Sequence, residues 1–158
     1  MGFALSDMKL TSSAFENGGS IPTRHTGEGA DVSPELSWSN APEGTASFAL
    51  ICHDPDAPLI SPGNYGFVHW VLYGIPSSVS QLADGVKDYT PGMNSFGNSG
   101  FGGPMPPEGH GRHHYFFWLL ALDSEPKLEP GLTMWDLLEK IEPNVIAMNR
   151  LVGTYERS

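Results

Sequence analysis

One cysteine, Cys52, stands among 158 residues, so no disulfide can form within the chain and the fold must rest on its core. Its place in an apolar run makes it a small core residue. Basic residues are few: 8 Lys and Arg against 18 Asp and Glu give a formal net charge of −10. With no basic run anywhere, this balance argues against a nucleic-acid partner and against docking on anionic membranes. No apolar stretch approaches the ~20 residues that a spanning helix needs. Met1–Leu10 also lacks the basic segment and apolar core of a signal peptide, so a cytoplasmic protein with no membrane insertion is expected. Several motifs are missing as well. There is no P-loop, no dinucleotide fingerprint, and no H-x-x-x-H or paired-Cys spacing. A G-x-S-x-G elbow is absent too, and Gly97-Asn98-Ser99-Gly100 has the wrong spacing for one.

What is abundant is punctuation: 19 Gly and 14 Pro. The hydrophobic fraction of 39% is nevertheless too high for disorder. At this size the chain reads as one domain, 1–158, burying roughly 70% of its unfolded surface. The run Ser47–His53 is the first strong strand, and it ends in the corner Asp54-Pro55-Asp56-Ala57-Pro58. The prolines stop the strand and hold two carboxylates at a sheet's end, either as a site or as simple turn caps. A short strand at Met8–Leu10 and an alternating segment, Leu36 and Trp38, precede it. After the corner comes a loop, 59–66, then a strand over Phe67–Tyr73, apolar on both faces but for His69 and hence central in its sheet. Residues 76–97 read as loop, with one turn of helix near Ser78–Leu82. Asn98–Gly111 holds five glycines and three prolines, with Gly97 abutting it, and cannot be regular structure. It runs into the strongest strand, His113–Leu122. Thr133 caps a helix predicted over 133–148, with Met134, Leu137, Leu138 and Ile141 at helical spacing and a kink or second short helix at Pro143. Leu151–Tyr155 reads as a closing strand, giving a mainly β domain with one helical segment near its C-terminus. Trp38, Trp70, Trp118 and Trp135 are assigned to core or interface.

Strand parity gathers the chemistry. Phe67, His69, Val71 and Tyr73 should share one face, and His113, Tyr115 and Phe117 another. If these strands are neighbours of the one ending at Asp54, then Asp54, His69, His113 and Tyr115 form a polar cluster ringed by aromatics. The glycine-rich loop would lend N–H groups that favour anions. The plainer alternative is a core histidine bonded to Asp54. A metal site could draw on His53, Asp54, His69, His113 and His114, and a hydrolase on Asp54, His69 and His113. His110, beside His113 and His114, reads as solvated.

The corner Asp54–Pro58, Ser33-Pro34-x-Leu36-x-Trp38, Pro42-x-Gly44-Thr45 and His69-Trp70-Val71 recur in family order. So do Gly102-Gly103-Pro104 with Pro106-Pro107, His113 with Tyr115, and Leu151–Tyr155. Together they resemble the phosphatidylethanolamine-binding protein family, in its bacterial and archaeal branch of Raf-kinase-inhibitor-like proteins. The resemblance implies a large central antiparallel sheet with a smaller one, and a pocket for phosphate, phosphorylethanolamine-like head groups or acetate-like carboxylates. Its walls would be Asp54, Asp56, His69, His113 and Tyr115, with the 102–107 loop, including Gly103 and Pro104, at the rim. It also implies regulation of a kinase or serine protease as partner, a homodimer, no cofactor and no catalytic residue. Two positions depart from the family pattern. The arginine expected after His113 is His114, with Arg112 one residue before, so either Arg112 or His114 should meet the corner carboxylates. Phe101 stands where relatives carry tyrosine. The expectation is a binding protein rather than an enzyme. Two or three charge-assisted hydrogen bonds of ~1.5–3 kcal/mol each, less desolvation, place its affinity for a lone phosphate at ~mM to μM.

Overall fold

A computed structural model describes residues 6–57 and 66–158. The expected loop 59–66 and Pro58 therefore lie outside the described residues, apart from Gly66. Eight strands and one helix are described: β1 (Lys9–Thr11), β2 (Leu36–Ser39), β3 (Ser47–Asp54), β4 (Phe67–Pro76), β5 (Gln81–Leu82), β6 (Thr90–Pro91), β7 (His113–Leu122), α1 (Met134–Ile141) and β8 (Val145–Tyr155). All pairings between these strands are antiparallel, and an isolated parallel bridge joins Ser20 to Thr154. The large sheet runs β6-β4-β3-β7-β8 and the small one β1-β2-β5. The chain is thus mainly β, with two sheets and a C-terminal helix.

The apolar pattern of β3 explains its central position. Every residue from Ser47 to Cys52 is buried, and its alternate side chains feed two cores. Phe48, Leu50 and Cys52 join Trp70, Leu72 and Phe117 against Leu10, Leu36, Trp38 and Leu82 of the small sheet. Ala49 and Ile51 join Val71, Tyr73 and Leu120 under α1, whose Met134, Leu137 and Ile141 close the other face. Thr133 caps that helix, its hydroxyl accepting from the Asp136 N–H at 3.2 Å.

The structure differs from the sequence expectations at several places. The helix ends at Ile141 rather than 148. A single 3-10 turn, Glu142–Asn144, carries Pro143, and the chain then extends at once as β8. Val145 and Ala147 are buried on alternate positions, a period of two that also fits the apolar pattern read as helix. Residues Gln81–Leu82 pair with β2 instead of forming a helical turn. A short 3-10 turn at Thr23–His25 was not foreseen. Trp135, assigned to core or interface, is 66% exposed and outside both cores, so only the core option is excluded.

Candidate functional site

The end of β3 and the beginnings of β4 and β7 meet at one end of the large sheet, because both neighbours run antiparallel to β3. A β-bulge here decides what faces the site. Cys52 pairs with Trp70 and His53 with Val68, which leaves His69 as the extra residue. Across the bulge the parity reverses. His69 meets Tyr115, ring centroids 5.1 Å apart, and Trp70 joins the same core as Tyr115. Val71 and Tyr73 point to the opposite core, so the expectation that they share a face with His69 is overturned.

The acid and its partners form a chain. Asp54 and His113 are each 2% exposed, with His113 Nδ1 2.6 Å from Asp54 Oδ2. The His113 Nε2 lies 2.6 Å from His110 Nδ1; His110 is exposed, as expected, and touches the site through this contact. Asp54 Oδ1 accepts the Asp56 N–H at 2.8 Å, an Asx-type turn that fixes the corner. Both oxygens of the buried carboxylate thus have donors.

His69 donates from Nδ1 to the Gly102 carbonyl at 2.7 Å, and Gly102 N–H returns to the His69 carbonyl at 2.9 Å. Burial pushes the His69 pKa below its ordinary 6.5, against the opposing pull of the Gly102 carbonyl and the Asp54 charge. The Tyr115 hydroxyl is buried and has no hydrogen-bond partner among the described residues. Burial, reinforced by the charge of Asp54, raises its pKa strongly.

These groups line a cavity of about 260 Å³, with Ala57, Phe67, Phe96, Met105, Pro106 and Pro107 as its apolar walls. Of the expected site residues, Asp54, His69, His113 and Tyr115 come together in it. Asp56 does not face it. Its carboxylate accepts from the His114 backbone and ring, each at 2.7 Å. Burial raises the Asp56 pKa, but the His114 bonds and charge outweigh this and leave it below the usual carboxylate value. The departure from the family pattern is therefore resolved in favour of His114. Arg112, 63% exposed at its side chain, reaches Glu156 at 3.8 Å and stays outside. Gly103 and Pro104 lie behind the wall: Gly103 N–H donates to Asp31 Oδ1 at 2.7 Å, and Gly27 N–H to the Pro104 carbonyl at 2.9 Å.

Part of the loop's amide supply is already committed within the protein. The N–H groups of Gly100, Gly102, Gly103 and Gly109 donate to protein acceptors, and the prolines at 104, 106 and 107 have none to give. Phe96 was missed as a wall residue, whereas Met105 falls within the expected 102–107 rim. The available signal for Phe96 was Asn94, whose side-chain oxygen takes the Phe96 and Asn98 N–H groups at 3.0 and 3.2 Å and presents the ring. Among the described residues no group of three His, Cys, Asp or Glu is placed to hold a metal, and no helix is long and apolar enough to cross a membrane.

Comparison with known proteins places this geometry in a family. The phosphatidylethanolamine-binding protein model matches residues 11–156. A UPF0098 protein of Aquifex aeolicus is 41% identical over 157 residues, covering 95% of this chain and 89% of that one. One from Methanothermobacter thermautotrophicus is also 41% identical over 157 residues, covering 95% and 99%. Among solved structures, a putative phosphatidylethanolamine-binding protein homologue from Chlamydia trachomatis matches with a TM-score of 0.89 and 38% identity, covering 96% of this chain and 98% of its own. YbcL of E. coli, described as a member of the mammalian family, matches at 0.87 and 33% identity, covering 97% and 100%.

Proposed function

The chain belongs to the phosphatidylethanolamine-binding protein family, and from that membership we propose that it is a binding protein for small phosphorylated or carboxylate-bearing ligands of head-group size. The single observation that carries this reading is the Tyr115 hydroxyl, 1% exposed at its residue, in the cavity wall and without a partner among the described residues. A buried hydroxyl left unbonded costs about 1–3 kcal/mol. A ligand oxygen that bonds to it recovers that cost, and His69 lies beside it. The cavity's 260 Å³ falls below the ~300–1,000 Å³ of drug-sized sites, which suits a head group and not an acyl chain. Its aromatic walls, Phe67 and Phe96, would also accept an ammonium group against their faces.

The hydrolytic alternative has weaker support. No Ser, Thr or Cys stands among the described lining residues, and burial pushes the nearby Cys52 thiol well above its ordinary pKa. The test is a titration with inorganic phosphate and phosphorylethanolamine at pH 6, followed by NMR of the His69 and Tyr115 rings. Saturable shifts in the wild type that vanish in His69→Ala are expected. Absence of any shift up to ~10 mM, well above the affinity expected here, would overturn the reading.

A further inference from the structure

The polar atoms of the cavity are unequally available. Both Asp54 oxygens have donors, and both His113 nitrogens are engaged, one by Asp54 and one by His110. Among the side-chain atoms of the described lining residues, what remains is His69 Nε2 and the Tyr115 hydroxyl. His69 gives its Nδ1 proton to the Gly102 carbonyl, with the Gly103 backbone adding to that bond. The neutral ring therefore presents Nε2 as a lone pair, an acceptor with no proton to offer. Tyr115 can donate or accept.

The charges around His69 set which form of ligand fits. Asp54 faces it from the end of β3, His53 acts on it from the same strand, and His113 and Tyr115 stand on β7. The loop contributes only the Gly102 and Gly103 backbone, and Phe67 and Phe96 pack against the ring. No Lys or Arg stands among the described lining residues. A fully deprotonated phosphate would thus set an anionic oxygen against a lone pair and beside a carboxylate. A phosphate that keeps one proton reverses the first contact, because its P–OH can donate to Nε2.

Resting on the reading above, we propose that the site selects a phosphomonoester in its singly protonated form, whose P–OH donates to His69 Nε2 while Tyr115 donates to a second oxygen. The proton stays on the ligand and no covalent bond changes. A phosphodiester, as in an intact phospholipid head group, has no such proton and is discriminated against.

The experiment is calorimetric titration of the full chain with phosphoethanolamine, a monoester, and glycerophosphoethanolamine, the matching diester, from pH 5.5 to 8. At pH 7 the diester should bind at least tenfold more weakly. The monoester Kd should rise about tenfold between pH 7 and pH 8, because the second phosphate pKa is about 6 and the monoanion fraction falls tenfold per unit above it. Nitrogen NMR of the monoester complex at pH 7 should show His69 Nε2 still unprotonated. Equal affinity for the two esters, a pH-independent Kd, or a fully protonated His69 ring in the complex would each overturn the proposal while leaving the binding reading intact. Failure of both esters to bind at any pH would overturn the binding reading itself.

Discussion

Tyr115 separates stability from function at the level of one atom. Its ring packs in the core beside Phe117, while its hydroxyl carries a desolvation penalty that nothing among the described residues repays. Tyr115→Phe keeps the ring and removes the penalty. It should therefore leave urea stability unchanged or raise it by about 1 kcal/mol, while weakening phosphate binding at least several-fold. Loss of stability in that variant would mean that the hydroxyl has a structural partner. Asp54 and His113 behave in the opposite way, since each is buried and bonded to the other, and truncating either leaves a buried polar group exposed to nothing. At this scale the sequence was informative where chemistry and strand ends coincide: Asp54, His69, His113 and Tyr115 all meet. It was not informative for Arg112, because side-chain reach decides between two basic residues two positions apart, and it is His114 that reaches Asp56.

At the scale of elements, what was legible is what depends on local pattern. The buried runs of β3, β4 and β7 and the Thr133 cap declare themselves. The bulge at His69 does not, because it is a property of the pairing between two strands and leaves no mark on either strand alone. The helix boundary failed for a related reason: Val145–Met148 is apolar enough for either period, and pairing with β7 selects the strand. The 102–107 loop was legible as irregular but not as to where its amides point. Gly103 is where that loop touches the body of the protein. A Cβ there would sit 2.4 Å from the His25 carbonyl oxygen and 2.6 Å from Asp31 Oδ1, and the carbonyl is backbone that cannot swing aside. Gly103→Ala should push the loop outward, cost about 1–3 kcal/mol as overpacking does, and weaken phosphate binding by carrying the Gly102 carbonyl away from His69. Urea unfolding and the phosphate titration read the two effects separately. A variant with wild-type stability would show that the loop yields without strain.

At the scale of the whole molecule, the small cavity sits in a strongly acidic body. The net charge of −10 and the absence of Lys or Arg from the described lining give an anion no long-range attraction, so what holds it must act at contact. This fixes the sign of the salt dependence. In a basic pocket, added salt screens attraction and weakens binding. Here it screens repulsion from the body, while the short hydrogen bonds to His69 and Tyr115 are scarcely affected. Between 0.01 M and 0.15 M ionic strength the Debye length falls from about 30 to about 8 Å. For a monoanion at the surface of a −10 sphere of this size, that change is worth roughly threefold in affinity. Phosphate binding measured at pH 7, where the net charge of −10 applies, should therefore tighten by about that factor when an inert salt is added over this range. A several-fold weakening would place a cation at the ligand, which contradicts a site built from a neutral imidazole and a phenol. A contact-held anion in an acidic protein is released by raising the pH rather than by raising the salt, and the two titrations together distinguish this site from a cationic one.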